Sequence, residues 1–111
     1  GAAAWTVNGA SADTIASTWA NRTALVNLPV YVEKAYVTKT YPQTGEGGYL
    51  WECAELRDAP GATNFVLGCR PAVVCGGSCW SGVNVWVSRV HGSFRRSTMP
   101  GSGGYRISLS N

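Results

Sequence analysis

A chain of 111 residues has room for one domain around one core, which a chain of this size can build unaided. Charged residues are only 14% and glycine reaches 14 residues, a mixture too apolar for disorder and suited to short strands joined by turns. The net charge of +3 divides unevenly: up to Asp58 four cations meet six acids (net −2), while the five arginines beyond face no acid (net +5). A basic half attracts phosphate, sulfate, acidic sugars or an acidic protein surface, unless interleaved strands mix the two halves in space. No apolar run approaches the ~20 residues of a membrane-spanning helix.

The chain opens Gly1-Ala2-Ala3-Ala4, which reads as following a removed leader or as a short added tail. Ser11 to Ala20 is the one candidate helix: Ser11 would cap it, Asp13 would sit in its first turn, and Ile15 and Trp19 share a face. Asn21-Arg22-Thr23 is a glycosylation sequon, a triplet common by chance.

From Leu28 onward the pattern is strand-like. Val30 to Tyr41 alternates as a long strand, and its flanking Pro29 and Pro42 favour an edge position or strand ends, with Lys34 and Lys39 as edge protection. Tyr49 to Leu56 and Thr63 to Arg70 form a hairpin around the Pro60-Gly61 step. Alternation places Tyr49, Trp51, Cys53 and Glu55 on one face, matching Phe65, Leu67 and Cys69. Val83 to His91 reads as the central strand, with Val83, Val85 and Val87 on one side and Trp86 and Val90 on the other. Gly92 to Gly104 reads as a long loop, and Tyr105 to Leu109 as the closing strand. The expected fold is therefore all-β: a small antiparallel sandwich or barrel of five to six strands, with one short N-terminal helix, spanning residues 1–111 as a single domain.

Four cysteines in a short chain point to two disulfides, Cys53–Cys69 across the hairpin and Cys75–Cys79 around a Gly-Gly turn. A zinc site, with His91 replacing one cysteine, is disfavoured because Cys69-x5-Cys75-x3-Cys79 contains no C-x2-C knuckle. Disulfides imply a secreted, extracellular, periplasmic or virion-surface setting. No metal and no cofactor is expected.

Catalysis has little to work with. His91 is the sole histidine, so a secreted nuclease would need Glu52 or Glu55 as base, His91 as acid, and Arg95 or Arg96 on the phosphate. The stretch Gly76-Gly77-Ser78-Cys79-Trp80 is not a nucleophile elbow. The glycine-rich loops also lack the lysine and following helix of a phosphate cradle.

Five tryptophans and five tyrosines exceed what one core of this size needs. Trp86 between Asn84 and Ser88 reads either as a platform on a solvated sheet face or as core in a strand buried on both sides. Arg89, Arg95 and Arg96 would border that platform with guanidinium forks, with Tyr105 as a further aromatic. The leading expectation is a secreted, non-catalytic recognition or adhesion module for a glycan or protein surface of acidic character, with nucleic acid disfavoured. The alternatives are a subunit of a pilus, capsid or tail fibre, which implies homo-oligomers, and the nuclease-type toxin.

Overall fold

A computed structural model of the chain describes residues 5–7, 10–44, 50–72, 79–80, 85–96 and 104–109. Side chains are described at 13–41, 50–72, 79–80, 87, 90–96 and 104–108. The described elements are β1 (Trp5–Val7), β2 (Ala10–Asp13), α1 (Ile15–Ala20), α2 (Arg22–Leu25), β3 (Pro29–Thr44), β4 (Leu50–Arg57), β5 (Val66–Pro71), β6 (Val85–Arg96) and β7 (Tyr105–Leu109). The chain is mostly β, as its composition implies, and no helix among the described residues is long and apolar enough to cross a membrane.

Five of the seven strands close on themselves. β3 pairs β4, β4 pairs β5, β5 pairs β7, β7 pairs β6, and β6 returns to β3. All five pairings are antiparallel except β5–β7, which is parallel. This ring order is the connectivity of OB-type Greek-key barrels, whose closure removes most sheet edges. β1 and β2 lie outside the ring, with β2 running parallel to β3 at Val30–Val32.

β3 makes the closure work because it pairs on two sides. Its first half meets β6, from Pro29 opposite Ser93 to Val37 opposite Val85, and its second half meets β4, from Tyr36 opposite Arg57 to Thr44 opposite Leu50. Of the two positions the prolines allow, the edge is excluded because β3 is the most connected of the described strands, and Pro29 does stand at its start. Pro42 is tolerated because β3 beyond Val37 pairs with β4 alone, leaving one side without a ladder. A bulge between Val37 and Lys39 accompanies the change of partner.

The interior holds Val30, Val32, Ala35, Val37, Ala54, Leu56, Val66, Val90, Phe94 and Ile107, all buried. Inward parity slips on β3, where Glu33 and Lys34 are both exposed between Val32 and Ala35. The facing strand slips as well, so Val87 and Val90 pack on the same core instead of on opposite sides as alternation predicts. β6 also continues to Arg96 through the stretch expected to be loop. Gly92 and Phe94 fall on the inward positions after Val90, and β7 pairs this end of β6, so sheet pairing overrides a loop-like composition.

The N-terminal helix is shorter than its sequence suggests. Ser11 lies in β2, and α1 starts at Ile15 with Thr14 as its cap, whose hydroxyl accepts from the Ser17 N–H at 3.0 Å. Asp13 stays outside the first turn and accepts from the Thr14 N–H instead. The remaining amides of the first turn go to a distant acid: both oxygens of Asp58, beyond β4, accept from Ile15 N–H and Ala16 N–H at 2.8 Å each. Ile15 and Leu25 then fill one end of the barrel. After α2, Asn27 turns the chain at φ 66, a conformation asparagine tolerates. Its N–H donates to the Phe94 carbonyl at 2.7 Å.

Trp80 closes the opposite end. It is buried, its indole N–H donates to the Glu52 carbonyl at 3.2 Å, and it lies over β5 at Gly68. A side chain at Gly68 would run into Leu56 and touch Trp80, so glycine is required by close approach.

Cys53 and Cys69 stand directly opposite each other on β4 and β5 and are bonded, as the hairpin alternation predicts. The bridge lies on the outer side of the sheet, in a second buried cluster with Leu67 against Tyr41 and Trp51. It spans 16 residues of sequence, a loop whose closure is worth about 3 kcal/mol in the chain-entropy model. Cys75, half of the second expected bridge, lies outside the described residues.

Candidate functional site

The residues singled out from sequence do not form one site. Asn84 lies outside the described residues, as do the side chains of Trp86 and Arg89. Their strand positions are nonetheless set: Trp86 is opposite Tyr36, near the Trp80 end of β6, whereas Arg96 is opposite Tyr105 at the other end. Ten residues of strand separate them, roughly 30 Å. Arg95 and Arg96 also part ways, because neighbours on a strand point to opposite sides. Arg95, exposed, faces Arg106 in register on the outer side of the barrel, while Arg96 joins Tyr105 at the helix-plugged end.

The catalytic set is likewise dispersed. His91 is opposite Tyr31, its ring 6.1 Å from the tyrosine ring at 62°. Glu55 is opposite Lys39 and Glu52 opposite Pro42, eight and eleven residues farther along the same strand, or roughly 26 and 36 Å of extended chain. Each glutamate is otherwise engaged. The Glu52 carboxylate accepts from the Cys79 N–H. Glu55 accepts from the Tyr41 hydroxyl and pairs with Arg57 at 2.9 Å. Arg57 in turn donates to Thr38 at 2.8 Å and to the Ala62 carbonyl at 3.0 Å, and stacks 4.6 Å from the centre of the Phe65 ring. Burial and the hydrogen-bonded Glu55 carboxylate push Tyr41 up to about 12, against the opposing pull of Arg57. A phenol held protonated by an occupied carboxylate offers no base near neutral pH. This cluster braces β3 to β4.

The helix-plugged end carries a different arrangement. Phe94 of β6 and Tyr105 of β7 stack at 5.4 Å with their planes 5° apart, and Trp19 of α1 meets Tyr105 edge-on at 5.7 Å and 88°. Arg22, at the start of α2, places its guanidinium 5.0 Å from the Trp19 ring centre and 6.0 Å from that of Tyr105, and donates to the Trp19 carbonyl at 2.9 Å. Arg96 reaches the same Tyr105 ring at 6.0 Å. Two guanidinium groups thus share one phenol ring, each within the range of a cation–π contact.

No ion pair with either arginine occurs among the described residues. Of the described acids near this end, Asp13 and Asp58 are bound to amides at the start of α1, and neither they nor the exposed Glu33 forms an ion pair with Arg22 or Arg96. Arg96 is exposed, and Trp19, Arg22 and Tyr105 are half-buried. The patch is therefore cationic, braced by three aromatic rings and open to solvent. Guanidinium forks placed in this way can form charge-assisted hydrogen bonds to an oxyanion.

Sequence reasoning reached Arg96 and Tyr105 but missed Trp19 and Arg22. In sequence Trp19 reads only as sharing a helix face with Ile15, and Arg22 lies beyond the expected helix end. Their union with β7 depends on how α1 plugs the barrel. The one available signal was Arg22 following Trp19 at i+3, neighbours on a helix surface. Compared with known proteins, the chain matches no family model, no curated protein and no solved structure.

Proposed function

We propose that this chain is an extracytoplasmic, non-catalytic recognition module that attaches to a glycan through its helix-plugged end. The observation that carries the reading is the pair Arg22 and Arg96 gathered on Tyr105, with no ion pair to either among the described residues. An extracytoplasmic setting is supported by the Cys53–Cys69 disulfide, and a second bridge, Cys75–Cys79, belongs to the same reading. OB-type barrels as a class bind oligosaccharides and oligonucleotides, and the reading is compatible with that architecture. The scattered positions of His91, Glu52 and Glu55 favour binding over hydrolysis.

A glycan array probed with wild type and Arg96→Ala tests this reading. Arg96 is exposed, so its removal is expected to leave the thermal midpoint nearly unchanged while array binding falls at least tenfold. Wild type that captures no glycan, or a variant that binds as well as wild type, sinks it.

A second reading, a subunit of an extracellular assembly, draws support from β1, which pairs with β2 alone among the described strands and so offers an open edge.

A further inference from the structure

The helix-plugged end narrows the ligand class, an inference that rests on the recognition reading above. We infer that Arg22 and Arg96 form an oxyanion clamp for an acidic polysaccharide, gripping its sulfate or carboxylate groups.

The aromatic rings at this site do not serve as a stacking platform. One face of Tyr105 is covered by Phe94, Trp19 stands edge-on to it, and Arg22 lies over Trp19. A neutral sugar or a nucleobase binds such a group mainly through an open ring face, and here Phe94 already occupies one face of Tyr105 and Arg22 lies over Trp19. The rings hold the arginines. Arg22 is fixed by Trp19 and by its bond to the Trp19 carbonyl, and Arg96 converges on the same tyrosine from β6.

Bringing two like charges to one ring is unfavourable without a counter-charge, and none of the described acids supplies it. An anion between the forks removes the repulsion and forms charge-assisted hydrogen bonds to donors whose freedom is already restricted. Arg95, exposed but on the other side of the strand from Arg96, is reached only by a ligand long enough to pass around β6, so a polymer bearing repeated charges can use it where a single small ion cannot. A protein partner would call for a buried apolar centre. Among the described residues the large exposed hydrophobics are Leu28 and Leu50, at opposite ends of β3 and β4, which supply no such centre.

The test measures binding of the full chain to immobilised heparin (sulfate and carboxylate), hyaluronate (carboxylate only), neutral dextran and a thymidine oligonucleotide. Wild type is expected to bind heparin or hyaluronate, the two arms separating sulfate from carboxylate recognition. Raising salt towards 1 M should weaken that binding, because screening then acts within about 3 Å. Arg22→Ala and Arg96→Ala should each lose tenfold or more. Arg22→Lys and Arg96→Lys should recover only part of it, since lysine keeps the charge without the fork. Lys39→Ala removes one surface charge elsewhere and should change affinity less than twofold, separating a clamp from general basicity.

The inference is overturned by absence of binding to both acidic polymers, by equal loss in Lys39→Ala, or by an oligonucleotide that binds as tightly as heparin. Binding to dextran or another neutral glycan that Arg96→Ala abolishes, without binding to either acidic polymer, overturns the clamp while leaving the recognition module standing.

Discussion

The two ends of the barrel use the same contact, arginine over an aromatic ring, and put it in opposite electrostatic settings. At the Trp80 end, Arg70 lies 4.8 Å from the indole centre and stands directly across from Glu52 on the neighbouring strand. Burial pulls the Arg70 pKa down, because a charge removed from water is disfavoured. At the helix-plugged end, Arg22 and Arg96 share Tyr105, and Arg96 has that tyrosine across from it instead of an acid. Arg70, packed on Trp80, belongs to the closure of the barrel, and the other two are the pair on which the proposed clamp rests. Under the proposed clamp, the same ring contact serves closure at one end and ligand binding at the other.

The contrast can be broken from either end. Trp80→Ala should have the largest effect, because it empties the space over Gly68: a loss of about 3–5 kcal/mol in urea unfolding. Heparin affinity of the fraction that remains folded should be unchanged, and a matching loss of affinity would show that the ends are coupled.

Asp58→Ala acts at the other end and more mildly. It strips two amide bonds from the start of α1 and should cost about 1–2 kcal/mol. It should also weaken polymer binding, because α1 carries Trp19 and leads into Arg22. A change in stability with unaltered affinity would mean that the clamp does not depend on how the helix is seated.

The smallest effect belongs to the brace between the ends. The Tyr41 pKa is raised to about 12 from an ordinary 10, so the folded state holds its proton more tightly than the unfolded chain does. That contribution is complete below pH 10 and is lost as pH rises from 10 towards 12. Tyr41→Phe should flatten stability over that interval relative to wild type, and parallel pH profiles would remove Tyr41 as the source.

Much of the sheet was legible because its pattern is local. Alternation on the hairpin placed Cys53 across from Cys69 and Trp51 beside them, and the structure has that register. Where local pattern misled, a partner from elsewhere in the chain had intervened. Gly92 to Arg96 has the composition of a loop and becomes strand because β7 pairs with it. Ser11 has the chemistry of a cap and lies in β2, while the first turn of α1 draws its acid from Asp58 across 43 residues. The candidate site shows the same division: Arg96 and Tyr105 stood out as a basic residue and an aromatic, but Trp19 and Arg22 join them only through the docking of α1. Side-chain chemistry could be read one residue at a time; convergence could not.

The parallel β5–β7 pairing has a consequence for how the molecule is made. β7 slots between β5 and β6 and acts as a keystone: until it arrives, the two flanking strands present raw edges, and the ring is an open ribbon. A nascent chain is therefore vulnerable to sticking to its neighbours until β7 emerges.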